Sequence, residues 1–217
     1  MHEQQITARE RVLKKVRKAL IQKDAESTLP PPQTDLDKDV FVKQGEDLAI
    51  VFAQEFITNN GHFEFCEDEE AFLFHFKQII QKSWKNIVCY EPELGGLLKQ
   101  GGIPFSDINP DMATLEVGVT GCDALVARTG SVIVTARKNH SRMISVFPGV
   151  HVVVAYMHQL DYDLKDSFAR LKKIYEGALP SMTSIISGPS RTADIEKTLV
   201  LGAHGPKELY VFLIDEQ

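Results

Sequence analysis

The chain has 217 residues, 43% of them apolar, with 24 lysines and arginines against 30 aspartates and glutamates for a formal net charge of −6. That length and apolar share suit one globular domain, or a domain with an appendage, with a real core burying roughly 70% of the unfolded surface. The acidic balance argues against general nucleic-acid binding, and no apolar run approaches the roughly 18 residues that a membrane-spanning helix needs. The stretch from Met1 to Lys18 is amphipathic and charged, without the continuous apolar core of a secretory leader, so the expected location is cytoplasmic. Cys66, Cys89 and Cys122 are odd in number, far apart and without a C-x-x-C pair. They read as buried free thiols, and neither a disulfide, a zinc site nor an iron–sulfur cluster is expected on this chain alone.

In chain order, Thr7 and Glu10 form a capping-box pattern ahead of Val12, Leu13, Val16, Leu20 and Ile21, which predicts an amphipathic helix ending near Lys23. Six of the ten residues from Arg9 to Lys18 are basic. That face is either solvated, paired with acidic surface of the same chain, or a dock for an acidic partner. Leu29-Pro30-Pro31-Pro32 cannot continue a helix, so 1–40 reads as a helical arm with a proline-rich linker and 41–217 as an α/β domain. A helix follows over Leu48–Thr58, stopped by Asn59-Asn60-Gly61. Phe63 and Phe65 alternate with polar residues as in a strand. Asp68 opens a helix with a buried stripe of Phe72, Phe76, Ile79 and Ile80, Ile87–Tyr90 is a short strand, and Pro92 opens a helix ended by Gly101-Gly102. Thr114–Thr135 holds two β-rich stretches joined through Arg128-Thr129-Gly130-Ser131, where Gly130 is suited to positive φ. A short helix before Pro148, a strand over Val150–Tyr156 and a helix over Leu164–Tyr175 complete a β-α-β rhythm with a mixed sheet.

The concentrated chemistry lies near the end of the chain. Ile185 and Ile186 lead into Ser187-Gly188-Pro189-Ser190-Arg191-Thr192, then a short helical run, then Gly202-Ala203-His204-Gly205-Pro206, then the apolar strand Leu209–Ile214. Arg191, expected at the start of that helical run, offers a fixed planar charge to a carboxylate or phosphate, with Ser190 or Thr192 as a cap; its alternative is an ion pair with Asp194 or Glu196. His204, between small residues, is the first candidate for acid–base or ligand contact, its alternative being a hydrogen bond to a neighbouring carbonyl. Ser187, Gly188, Gly202 and Gly205 complete the ligand-binding set, with Thr129, Gly130 and Ser131 as a wall. Asp123 and Glu116 flank this region as weaker general-base candidates. His151 reads as a satisfied core or edge residue, and His140, beside Arg137, Lys138 and Arg142, as part of a basic loop. No G-x-G-x-x-G, Walker A, H-E-x-x-H or nucleophile-elbow pattern occurs, which disfavours NAD-linked and P-loop chemistry and leaves any cofactor unassigned.

The GPSRTADIE and LG-x-HGP motifs, in this order, resemble the C-terminal signature of the lactate utilization protein C family, a branch of the LUD-domain proteins. Val119–Ser131 and His140–Val154 resemble the family's central signatures, so the likeness runs from about Val117 onward. Arg128 stands where many relatives carry an acidic residue. The resemblance implies the NagB/RpiA/CoA-transferase-like fold, a three-layer α/β/α sandwich with a Rossmann-like mixed sheet. It further implies a subunit or accessory role in cytoplasmic oxidation of L-lactate to pyruvate, alongside partner proteins that carry iron–sulfur cysteine motifs. An anionic small-molecule ligand and a homo-oligomer are compatible with it. The sequence assigns no catalytic step to the chain itself. Two alternatives stand beside this reading: a stand-alone enzyme on a phosphorylated or CoA- or folate-like substrate, suggested by the superfamily alone, and a non-catalytic scaffold recruiting a partner through the basic helix.

Overall fold

The computed structural model describes residues 47–107, 115–136, 141–192, 200–202 and 204–216, all within one compact unit, Lys43–Gln217. The N-terminal arm, the basic loop at 137–140 and the helical run expected over 193–199 lie outside the described residues.

The elements begin with α1 (Leu48–Thr58), β1 (His62–Cys66), α2 (Glu69–Ser83), β2 (Ile87–Val88) and α3 (Pro92–Gln100). Then come β3 (Val117–Thr120), β4 (Ala124–Val126), β5 (Ser131–Thr135), α4 (Ser141–Ile144), β6 (Val150–Tyr156), β7 (Leu160–Asp161) and α5 (Leu164–Ile174). The chain closes with β8 (Thr183–Ile186), β9 (Arg191–Thr192), β10 (Val200–Leu201) and β11 (Glu208–Ile214). Local chemistry sets several of these limits. Asp47 and Asp68 cap α1 and α2 by accepting from Ala49 N–H and Ala71 N–H, Pro92 opens α3, and Asn60 at φ 64° turns the chain out of α1.

The fold is α/β, and its main strands divide between two sheets. Five parallel strands form one, in the order β1-β11-β6-β3-β2. A second, mixed sheet runs β7-β4-β5-β8, with β4 and β8 both antiparallel to β5. The central strand β6, Val-His-Val-Val-Val-Ala-Tyr, is β-rich and apolar on both faces because both faces are covered. Val150, Val152 and Val154 join Val117, Val119, Phe212 and Ile214 against Phe72 and Phe76 of α2 and Leu94, Leu97 and Leu98 of α3. On the other face Val153, Ala155, Val211 and Leu213 pack against Phe52 and Phe56 of α1 and against Leu125 and Val132 of the second sheet. α5 then covers the outer side of that sheet through Leu171, which meets Ala124, Val126 and Ile133. Each such large side chain, fully buried, contributes about 1.5–3 kcal/mol of apolar transfer.

One local expectation is corrected. Arg191 and Thr192 do not begin a helix: they pair antiparallel with Leu201 and Val200 as a two-residue ladder. The glycine and proline of Gly188-Pro189 break the preceding strand, but the backbone beyond them returns to extended pairing instead of winding, so no helix N-terminus stands at Arg191.

Candidate functional site

Because the five strands of the main sheet are parallel, their amino ends share one edge and their carboxyl ends the other. The signature residues near the chain end gather at the amino edge. Asn59, at the exit of α1 and just ahead of β1, is the hub. Its side-chain amide donates to the Thr129 carbonyl at 3.1 Å, and its own carbonyl accepts from the Arg191 guanidinium. Gly188, at φ 130°, lies so close that any Cβ there would collide with the same Asn59 carbonyl. Gly130, at φ 54°, leaves no room for a Cβ against the backbone of Glu55 and Phe56. Thr129 and Ser131 share a hydroxyl hydrogen bond at 2.8 Å, and Ser131 and Ser187 share another at 2.7 Å. Ser131 itself is buried, so its hydroxyl locks β5 to the end of β8.

The HGP turn closes on the same edge. Ser190 donates its N–H to the Pro206 carbonyl at 2.8 Å, while Gly202 donates to the Ser190 carbonyl at 2.9 Å. A Cβ on Gly205 would lie 3.1 Å from that of Ser190, and Lys207 N–H reaches the Gly149 carbonyl just before β6. His204 projects from this turn and is exposed, as is Arg191. The structure therefore brings Thr129, Gly130, Ser131, Ser187, Gly188 and Arg191 together around Asn59. It sets Ser190, Gly202, Gly205 and His204 in the turns that flank the two-residue ladder of Arg191 and Thr192 with Leu201 and Val200. Thr192 is the residue after Arg191 in the same strand. Sequence reasoning missed Asn59, which carries a helix-stop signal and nothing that connects it to residues 70 and 132 positions away.

The other candidates lie apart. The Asp123 carboxylate is buried, accepting from Thr135 N–H at 2.9 Å and from the Tyr175 hydroxyl at 2.6 Å. It ties β4 to β5 and to the end of α5. Glu116 accepts from the Lys85 and Asn86 backbone N–H groups, which hold its carboxyl below the usual carboxylate range. Arg128 is spent on Asp163, the N-cap of α5, at 2.6 Å, and that guanidinium holds the Asp163 carboxyl below its ordinary range. His151 is fully buried and only half satisfied: Nε2 shares a 2.8 Å hydrogen bond with Thr120 Oγ1, whereas Nδ1 has no hydrogen-bond partner among the described residues. The expectation of a satisfied core or edge residue is corrected to that extent.

At the carboxyl edge lies a crevice that motif reading did not find, with a volume of about 370 Å³. Its floor is Leu94, Leu97 and Val154, and the segments that follow several different strands contribute Glu69, Glu91, Gly121, His158 and Glu216. Gly121 N–H donates to Glu91 Oε1 at 2.8 Å, and a Cβ on Gly121 would come within 2.8 Å of Glu91 Oε2. The Tyr156 hydroxyl donates to Glu69 at 3.0 Å, and its ring stacks on His158 with centroids 5.8 Å apart. The residues involved are far apart in sequence and follow no short spacing, which is why the crevice has no motif.

The sequence profile of the LUD domain matches residues 104–214, from ahead of β3 to the last residue of β11. The chain belongs to the LUD domain family. It is similar to lactate utilization protein C of Shouchella clausii, 26% identical over 191 residues that cover 84% of this chain and 82% of the relative. It is also similar to lactate utilization protein C of Exiguobacterium, 24% identical over 97% of both chains. A DUF162 family protein from Deinococcus radiodurans, solved by crystallography, shares 15% identity and a TM-score of 0.58 over 77% of this chain and 96% of that one. At that identity the likeness supports the fold alone. Within the LUD segment lie Gly121, Gly130, Gly188, Arg191 and the HGP turn, whereas Asn59 falls before it. Among the described residues, no helix is long and apolar enough to cross a membrane.

Proposed function

We propose that this LUD-domain protein serves lactate utilization, as a subunit or accessory component of a system that oxidises L-lactate to pyruvate. The observation that carries the reading is the extent of the likeness: relatives named lactate utilization protein C align along 84% and 97% of this chain, far beyond any single motif. The redox centre is assigned to partner proteins that carry iron–sulfur clusters. This chain's three cysteines are buried, Cys66 and Cys89 in one part of the core and Cys122 in another, and burial pushes the Cys66 and Cys89 thiols up to about 12, away from the thiolate that iron ligation needs.

An anionic small molecule is placed at the amino edge, on Arg191 and His204. Arg191 spends one guanidinium N–H group on Asn59 and, among the described residues, keeps donors for a carboxylate. Deletion of the gene, with complementation, is expected to impair growth on L-lactate more than growth on pyruvate. Arg191→Ala and His204→Ala are expected to reproduce that defect with little change in melting temperature. Equal growth of mutant and parent on lactate, with no second copy of the gene, removes the pathway assignment; two point variants that grow like wild type remove the anion site.

A further inference from the structure

We infer that the carboxyl-edge crevice is a second binding site, separate from the Arg191 cluster, and that it takes a small organic cation whose ammonium group sits among glutamates while an apolar body lies along Leu94, Leu97 and Val154. The site rests first on shape and place. Open α/β sheets hold ligands outside the carboxyl ends of their strands, and a volume of about 370 Å³ suits a small molecule. An apolar floor with an aromatic wall and a few convergent polar groups is the usual build of such a pocket.

The lining then sets the sign of the ligand. Glu69, Glu91, Glu93 and Glu216 face the crevice, and the one basic residue among its described walls, His158, stands 3.4 Å from Glu216. Burial lifts the Tyr156 phenol well above its ordinary range, and the hydrogen bond to Glu69 and the charges of Glu69, Glu216 and Glu93 raise it further, so several carboxylates act on one point. A positive group there relieves their mutual repulsion, and the Tyr156 ring offers it a π face. An anion meets the opposite field. A bare metal ion is not the choice, because among the described residues no three acidic, histidine or cysteine side chains are grouped to hold one. Glu91, anchored on Gly121 N–H, is fixed as a wall, which leaves Glu69, Glu93 and Glu216 to meet the cation.

The test compares 3-phenylpropylamine with 3-phenylpropionate, matched in shape and opposite in charge, binding to the full-length protein by calorimetry and by ligand-observed NMR at low and high salt. The amine is expected to bind at least roughly tenfold more tightly than the carboxylate, and to weaken as salt rises. Glu69→Gln and Glu93→Gln, which keep side-chain volume, are expected each to weaken the amine several-fold. Arg191→Ala is expected to leave amine binding unchanged while lactate growth suffers, so failure here is distinguishable from failure of the proposed function. Equal binding of the two probes, no binding of the amine, or amine binding unaffected by the paired glutamine substitutions overturns the inference. Binding confined to a lysine-rich peptide also overturns it, in favour of a protein-docking surface. The probe comparison on the wild-type protein decides the matter even if a variant fails to fold.

Discussion

His151 offers the sharpest test of the core. It is wholly buried on β6, the strand at the middle of the parallel sheet, and burial lowers its pKa from 6.5 to about 4. At ~1.36 kcal/mol per unit, that difference amounts to roughly 3 kcal/mol of differential proton affinity between the unfolded and folded chain. The sign follows from which state takes up the proton. Below pH 6.5 the unfolded chain protonates this ring while the folded chain does not until about pH 4, so the full stability is present above pH 6.5 and falls as pH drops through that window. Between pH 7.5 and 5.0 the expected loss from this residue is about 2 kcal/mol, a large share of the 5–15 kcal/mol typical of a domain. His151→Leu removes the titration. It also leaves the Thr120 hydroxyl without its partner, so the variant begins about 1–3 kcal/mol less stable at pH 7.5. Urea unfolding of both proteins at the two pH values measures the difference of differences, in which the Thr120 cost cancels. If wild type and His151→Leu lose the same stability on acidification, or if NMR titration finds His151 protonating near 6.5 in the folded protein, burial of a neutral ring is not what this position does.

Three further outcomes follow from particular contacts. Gly130→Ala is expected to destabilise by about 1–3 kcal/mol or more in denaturant titration, because a Cβ 2.5 Å from the Glu55 carbonyl carbon at φ 54° must displace backbone; wild-type stability of this variant contradicts the close packing of Gly130 on α1. Tyr175→Phe takes away the hydroxyl that donates to the buried Asp123 carboxylate at 2.6 Å, and a loss of about 1–3 kcal/mol is expected at neutral pH; an unchanged melting curve means that Asp123 is satisfied without it. Elemental analysis of the purified chain is expected to find no stoichiometric iron, since Cys66, Cys89 and Cys122 are buried thiols, three in number where a cluster requires about four thiolates; one cluster's worth of iron with charge-transfer absorption refutes this.

Local signals carried most of the fold. The Asn59-Asn60-Gly61 stop, the Asp68 cap, Pro92 and the β-branched run at β6 place helix ends and the buried strand where local chemistry requires them. The division of strands was not legible, since β4 and β5 look as apolar as β3, and only long-range pairing puts β3 in the parallel sheet and its two successors in the other. Arg191 misled for a related reason. A capping residue beside a glycine-proline turn predicts a helix start, yet pairing with Leu201 holds the segment extended. In the candidate site, motif spacing found Arg191 and the glycines but not Asn59, whose role exists only because the exit of α1 meets two distant turns. The crevice glutamates were invisible as a group. Each reads as an ordinary acidic residue near a helix start or the chain end, and only parallel strand order gathers them.

The two edges also explain why one signature contains glycines with different tasks. Gly121 follows β3 at the carboxyl edge, where it admits the Glu91 carboxylate; Gly130 lies beside the exit of α1, next to the Asn59 hub of the amino edge. Between them β4 (Ala124–Val126) and the helical turn Ala127–Thr129 carry the chain from the one edge to the other in a single pass. One small ligand cannot touch both ends of that pass. The charge contrast therefore reflects two environments held apart by the sheet: the Arg191 guanidinium and exposed loop donors at one edge, a group of carboxylates over an apolar floor at the other. With the two sites proposed above, a substitution at either edge is expected to change binding at that edge alone, because positions separated by more than about 10 Å with no shared partner contribute independently.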